Sequence, residues 1–125
     1  MPIRSSPACA ILVVLFALPT RAAGSAPAAA GQAVYDRECA QCHGPAGKGD
    51  GEEAQYLTPA PKDFKSGVLD KRSDDFLAAV VARGGPAKGL SEAMPAFPKL
   101  SRAEVDAVIA YVRQLGKDSA GQRPK

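Results

Sequence analysis

Two cysteines and a histidine stand within five positions of each other, as Cys39-Ala40-Gln41-Cys42-His43. The pattern is C-x-x-C-H, the spacing of covalent haem attachment. Two thiols three positions apart can each add to one of the two vinyl groups on a haem edge. The histidine that follows is then delivered beneath the iron, where a ring nitrogen becomes an axial ligand. Thioether bonds are permanent, so the cofactor becomes part of the fold. Three other readings fit less well. Structural zinc takes about four ligands, more than the three that this stretch supplies. A thioredoxin-type redox pair wants a βαβ setting, and no strand-like alternation occurs in the chain. A plain disulfide between Cys39 and Cys42 would leave His43 without a role.

An iron held by His43 on one side needs a ligand on the other. His43 is the only histidine, and Met94 is the only methionine after Met1. The Met94 thioether is therefore the one soft neutral ligand available for the distal face. It sits in the stretch Gly89-Leu90-Ser91-Glu92-Ala93-Met94-Pro95-Ala96-Phe97-Pro98. That stretch carries no helical stripe of the kind on which a gap-filling methionine usually lies. Lys88, Lys99 or an open position are the alternatives. With both axial positions filled, substrate cannot reach the metal, and one-electron exchange remains. A methionine ligand raises the potential. Burial among Val34, Leu57, Phe64, Leu90 and Phe97 is expected to act in the same direction, by making the ferric charge costly.

These residues need elements to position them. The chain has 125 residues, one domain's worth. Aromatic residues are 6% with no Trp, while Gly (12) and Pro (11) are plentiful. A small chain so composed fills a core poorly from side chains alone and gains from a cofactor. A net charge of +3 excludes a strongly basic nucleic-acid binder. A short helix is expected over Gly31 to about Cys39, with Val34 and Tyr35 as its apolar contacts. Gly44 to Gly67 reads as loop. Ser73 caps a second helix bearing Phe76, Leu77, Val80 and Val81 at helical spacing, stopped by Gly84-Gly85-Pro86. A second loop runs from Ala87 to Leu100. Ser101-Arg102-Ala103-Glu104 is a capping box. It opens a third helix with Val105, Val108, Ile109, Val112 and Leu115 on one stripe and Gly116 as its stop. The expected fold is all-α, three main helices joined by two long loops that need something to wrap.

The N-terminus reads as an address. Arg4 supplies a positive start, Ala8 to Leu18 is unbroken apolar sequence, and Arg21-Ala22-Ala23 follows Pro19. This is the layout of a secretory signal peptide, short for a bilayer span of about 18 apolar residues, so cleavage after Ala22, Ala23 or Ala26 is expected, with contact to the membrane only if the leader is retained as an anchor. The expected division is a cleaved leader at 1–23, a flexible lead-in at 24–30, the haem domain at 31–116 and a polar tail at 117–125. Cleavage would leave 14 Lys and Arg against 13 Asp and Glu, which removes any case for long-range steering. It would also remove Cys9, and export would place the chain in the periplasm.

At these residues the chain resembles a class I c-type cytochrome of the short bacterial monohaem type. Similar haem domains occur in c-type subunits of cbb3-like oxidases and of periplasmic dehydrogenases. The resemblance runs from about Gly31 to Leu115. Gly31 and Tyr35 sit where the family has a small residue and an aromatic on its first helix. Ile109-Ala110-Tyr111-Val112 matches the last helix, which crosses the first closely. Gly47, Gly49, Asp50 and Gly51 resemble the family's glycine-rich loop, Pro59-Ala60-Pro61-Lys62-Asp63-Phe64 its Pro-x-Pro-x-Asp-Phe stretch, and Met94-Pro95 its distal Met-Pro.

The resemblance implies one haem c on Cys39 and Cys42, with His43 and Met94 on the iron. It also implies a proline carbonyl that accepts a hydrogen bond from His43, assigned to Pro59 first and Pro61 second. The implied function is an electron carrier and not an enzyme. It would run between periplasmic or membrane-bound redox proteins, from a dehydrogenase donor to an oxidase or reductase acceptor. A dedicated electron-transfer subunit of an oxidoreductase, or a haem-based sensor, is the alternative. A monomer with no nucleic-acid partner is expected.

Overall fold

The computed structural model describes residues 26–117. The expected leader, residues 24 and 25, and the tail beyond Lys117 lie outside the described residues. Four α-helices follow in order: α1 (Ala26–Glu38), α2 (Ala40–His43), α3 (Asp74–Arg83) and α4 (Arg102–Lys117). No strand occurs among the described residues.

The first helix starts at Ala26, earlier than the flexible lead-in allowed. Residues 26–30 are mostly alanine, the strongest helix former, and they extend a helix already anchored downstream. That anchor is the crossing of α1 with α4. Gly31 is buried against α4, and a Cβ there would overlap the carbonyl oxygen of Ala107 and stand 3.0 Å from Tyr111 Cβ. Four residues on, Tyr35 is fully buried, its ring 5.3 Å from that of Tyr111 and tilted by 57°. Its hydroxyl donates to the Gly44 carbonyl at 2.6 Å, so the buried phenol is satisfied. Val34, Tyr35 and Val108 form the packed centre.

The obstacle facing Gly31 is backbone, which cannot swing aside. Gly31→Val is therefore expected to destabilise by about 1–3 kcal/mol through overpacking. A fall in Tm of several degrees, seen by thermal circular dichroism, is the expected readout. An unchanged Tm would place the helix contact elsewhere.

The caps of the other helices form as their residue types dictate. Ser73 Oγ accepts from Phe76 N at 3.1 Å, and Gly84 N closes α3 on Val80 O at 2.8 Å. Glu104 N donates to Ser101 Oγ at 3.2 Å and Ser101 N to Glu104 Oε2 at 2.8 Å, a complete capping box. Those bonds hold the Glu104 carboxyl below its usual range. Gly116 departs from expectation. It does not stop α4, which runs on to Lys117. It is small for another reason: a Cβ would come within 3.1 Å of the Phe64 carbonyl oxygen.

The two long stretches are not plain loops. Three short 3₁₀ helices punctuate them, at Glu52–Tyr56, Phe64–Ser66 and Gly85–Lys88. Each is too short to show a hydrophobic period. Arg113 of α4 fastens the stretch before α3. Its guanidinium donates to Leu69 O at 2.9 Å, to Arg72 O, and to Asp74 Oδ1 at 2.7 Å.

Candidate functional site

The attachment motif occupies a single helical turn. After α1 ends, Cys42 N and His43 N both donate to Cys39 O, at 3.2 and 2.9 Å. The glycine-rich loop then folds back over this turn. Gly51 N donates to Cys42 O at 3.2 Å and Gly49 N to His43 O at 2.8 Å. Gly49 has φ of 77°, and a Cβ there would overlap the Pro61 carbonyl oxygen. A glycine is required for the loop to lie flat against the proline stretch.

Cys39, Cys42 and His43 line one cavity of about 320 Å³, and Met94 lines it too. Apolar side chains make most of its wall. Phe76, Leu77 and Val80 come from α3, Ile109 and Val112 from α4, and Phe64 from the proximal loop. A packed interior of this size leaves few voids larger than a water molecule, so the cavity is built for a large apolar body. Leu57 and Leu90 line it as expected. Val34 and Phe97 do not. Val34 is spent on the α1–α4 core, and Phe97 belongs to the segment that pairs its backbone N–H with Val81 O at 2.9 Å.

Burial sets the chemistry of the motif. It pushes the Cys39 thiol up to about 11 and the Cys42 thiol upward as well. Neither cysteine is in a disulfide. Burial pushes His43 down, which keeps the imidazole neutral and its lone pair available near pH 7. The ring stacks on Phe64, with centroids 4.8 Å apart and planes 21° apart. Its Nδ1 is buried without a hydrogen-bond partner. Pro59 and Pro61 both line the cavity, but the bond from Nδ1 to either carbonyl is not formed here. A buried ring nitrogen left unpaired costs about 1–3 kcal/mol. That cost marks an imidazole set aside for a task other than folding.

The distal segment is tied to the end of α3. Gly85 N donates to Met94 O at 2.9 Å, and Met94 N to Ser91 O at 3.2 Å. The half-buried Met94 side chain thereby faces the cavity that His43 faces. Lys88 and Lys99 do not line it. Lys88 Nζ lies instead 5.6 Å from the centre of the Phe76 ring. Among the described residues no cluster of His, Cys, Asp and Glu could hold a metal ion unaided.

A family model for cytochrome c matches residues 28–116. The chain belongs to the cytochrome c family. Its fold is the all-α cytochrome c fold, its cofactor is covalently attached haem c, and Cys39 and Cys42 fit the attachment motif. Cytochrome c domains transfer electrons through haem. Among solved structures, one similar chain belongs to a reducing HAO-like protein complex of Kuenenia stuttgartiensis. The two share 24% identity with a TM-score of 0.61, over 76% of this cytochrome and 44% of that chain. This cytochrome therefore spans less than half of the matched chain. No curated protein matches it.

The residues present fit the cofactor. The cavity is apolar, both thiols are free, and the orphaned imidazole and the thioether line the same space.

Sequence reasoning missed the segment Val68, Leu69 and Arg72, which forms part of the cavity wall. It lies between two elements and has no period to reveal it.

Proposed function

We propose that the chain is a periplasmic monohaem cytochrome that carries single electrons between redox partners. Cys39 and Cys42 would hold the haem through thioethers, and His43 and Met94 would bind its iron. The observation that carries this reading is the presence of all four side chains on one apolar cavity. When bound, haem supplies a one-electron iron couple. The chain's own residues supply the rest. Phe64 orients the His43 ring by stacking, and the Gly85–Met94 backbone bond holds the distal segment. The apolar wall excludes water, which disfavours the more charged ferric state and raises the potential. With both His43 and Met94 on the iron, substrate would find no free position there, which supports a carrier over an enzyme.

The periplasmic assignment rests on the leader-like segment at 1–23, which supports export and cleavage. The partners are then a dehydrogenase donor and an oxidase or reductase acceptor in the periplasm or at its membrane. A second reading, a dedicated electron-transfer subunit, draws on the similar chain's membership of a complex.

The test is a pyridine haemochrome assay on protein from a strain with c-type haem maturation, followed by carbon monoxide titration of the reduced protein. A c-type haemochrome of one haem per chain and no carbon monoxide binding near neutral pH are expected. Ready carbon monoxide binding would move the protein to the sensor or enzyme class.

A further inference from the structure

The end of α3 does two jobs. Val80 and Val81 form part of the cavity wall. The chain then passes directly into Gly84 and Gly85, and the segment that carries Met94 closes around that pair. Gly85 is buried and spends both of its main-chain groups on this segment. Its N–H donates to Met94 O at 2.9 Å, and its carbonyl accepts from Leu90 N at 2.9 Å. Phe97 N donates to Val81 O at 2.9 Å and so fastens the far end of the segment to α3 as well. The fit at Gly85 leaves no space for a side chain. A Cβ there would overlap the Ser91 carbonyl oxygen and stand 3.0 Å from Met94 Cβ. The Ser91 oxygen cannot yield alone, since it accepts from Met94 N at 3.2 Å. One added carbon at position 85 would therefore push Met94 twice, through the backbone of its own turn and at the root of its side chain. The backbone of Gly85 lies outside the left-handed region, so glycine is needed here for space and not for conformation. Gly89, in the same segment, is the reverse case. Its φ is 68°, and a Cβ there would meet nothing within 4 Å.

We propose that Gly85 is the positioning residue for the distal ligand: the absence of a side chain at 85 sets how far the Met94 thioether reaches into the cavity. This rests on the reading that Met94 binds the haem iron. A ligand bond to a metal forms only over a narrow range of distance and angle, so a small displacement at the root of the side chain is enough to lose it. Gly84 supports the same fit from the other side of the pair, where a Cβ would stand 3.1 Å from Met94 O and from Ala96 N. The choice between a closed electron carrier and an open, ligand-binding haem is thus made at a residue that touches neither haem nor iron.

The experiment compares Gly85→Ala and Gly89→Ala holoproteins by the far-red sulfur-to-iron band of the oxidised form and by carbon monoxide titration of the reduced form. Gly85→Ala is expected to lose most of the band and to bind carbon monoxide, although Met94 and the covalent haem are both still present. Gly89→Ala carries the backbone strain of a side chain at positive φ without the crowding. It should lower Tm yet keep the band and the resistance to carbon monoxide. A band retained in Gly85→Ala, or lost as fully in Gly89→Ala, would overturn the assignment. Should Gly85→Ala yield no holoprotein, hydrogen exchange of the wild-type holoprotein decides. The Gly85 and Leu90 amides should be the best protected of residues 85–96, and ready exchange at either would remove Gly85 as the hub. A wild-type protein without the band would defeat the Met94 reading itself, whereas a band present in wild type and unchanged in Gly85→Ala would defeat this proposal alone.

Discussion

Cys39→Ala or Cys42→Ala is expected to abolish normal holoprotein and to leave an apo chain that is mostly unfolded. The reason lies in what the polypeptide buries by itself. The buried apolar core is Val34, Tyr35, Leu69, Val80, Val105, Val108 and Ile109, and only Tyr35 and Val108 are large and fully enclosed. Against that core stands a cavity of about 320 Å³. Without haem the apolar side chains that line this space lose the body they pack on, and a small domain has little other burial to replace it. The burden is uneven. The α1–α4 crossing has its own contacts at Gly31, Tyr35 and Tyr111. By contrast, α3 and both loop stretches supply much of the cavity wall. Far-ultraviolet circular dichroism of the variant decides the matter, with most helix signal lost. Native-like helix content without haem would show that the polypeptide organises itself.

The parts legible in the sequence are those whose physics is local. The caps at Ser73 and Ser101 need only a side-chain oxygen and a nearby N–H, and both form. The apolar stripe of α3 meets the cavity with Phe76, Leu77, Val80 and Val81, all four of its marked residues. The attachment motif is local as well, because one helical turn carries Cys42 and His43 back to Cys39. What escaped was set by distant partners. Gly116 looks like a helix stop, and its smallness answers instead to the Phe64 carbonyl and the Leu69 side chain, which a Cβ there would crowd. Val34 reads equally well as core or cavity wall, since both are apolar. The choice depends on how α1 is rotated against α4. Arg72 offers no sequence signal at all, because its place is fixed by Arg113, a residue 41 positions away.

Met94→Ala is the variant that most sharply separates an electron carrier from a ligand-binding haem protein. The wild-type protein, with Met94 bound, should show a weak sulfur-to-iron charge-transfer band in the far red when oxidised. Its reduced form should resist carbon monoxide near neutral pH. Met94 is the only methionine among the described residues, and the two lysines in reach by sequence do not line the cavity. The variant should therefore lose the band, show a lower reduction potential and admit carbon monoxide or cyanide. The loss should be confined to the distal side. Met94 holds its segment through main-chain bonds, Gly85 N to Met94 O and Met94 N to Ser91 O, and these survive removal of the side chain. His43 stays stacked on Phe64, and both cysteines stay in their turn. The variant should thus keep covalent haem and most of its helix signal, unlike the cysteine variants. If the wild-type protein lacks the band or binds carbon monoxide freely, Met94 is not a ligand. The cavity then serves a sensor or an enzyme, since an iron with an open side reacts with what reaches it.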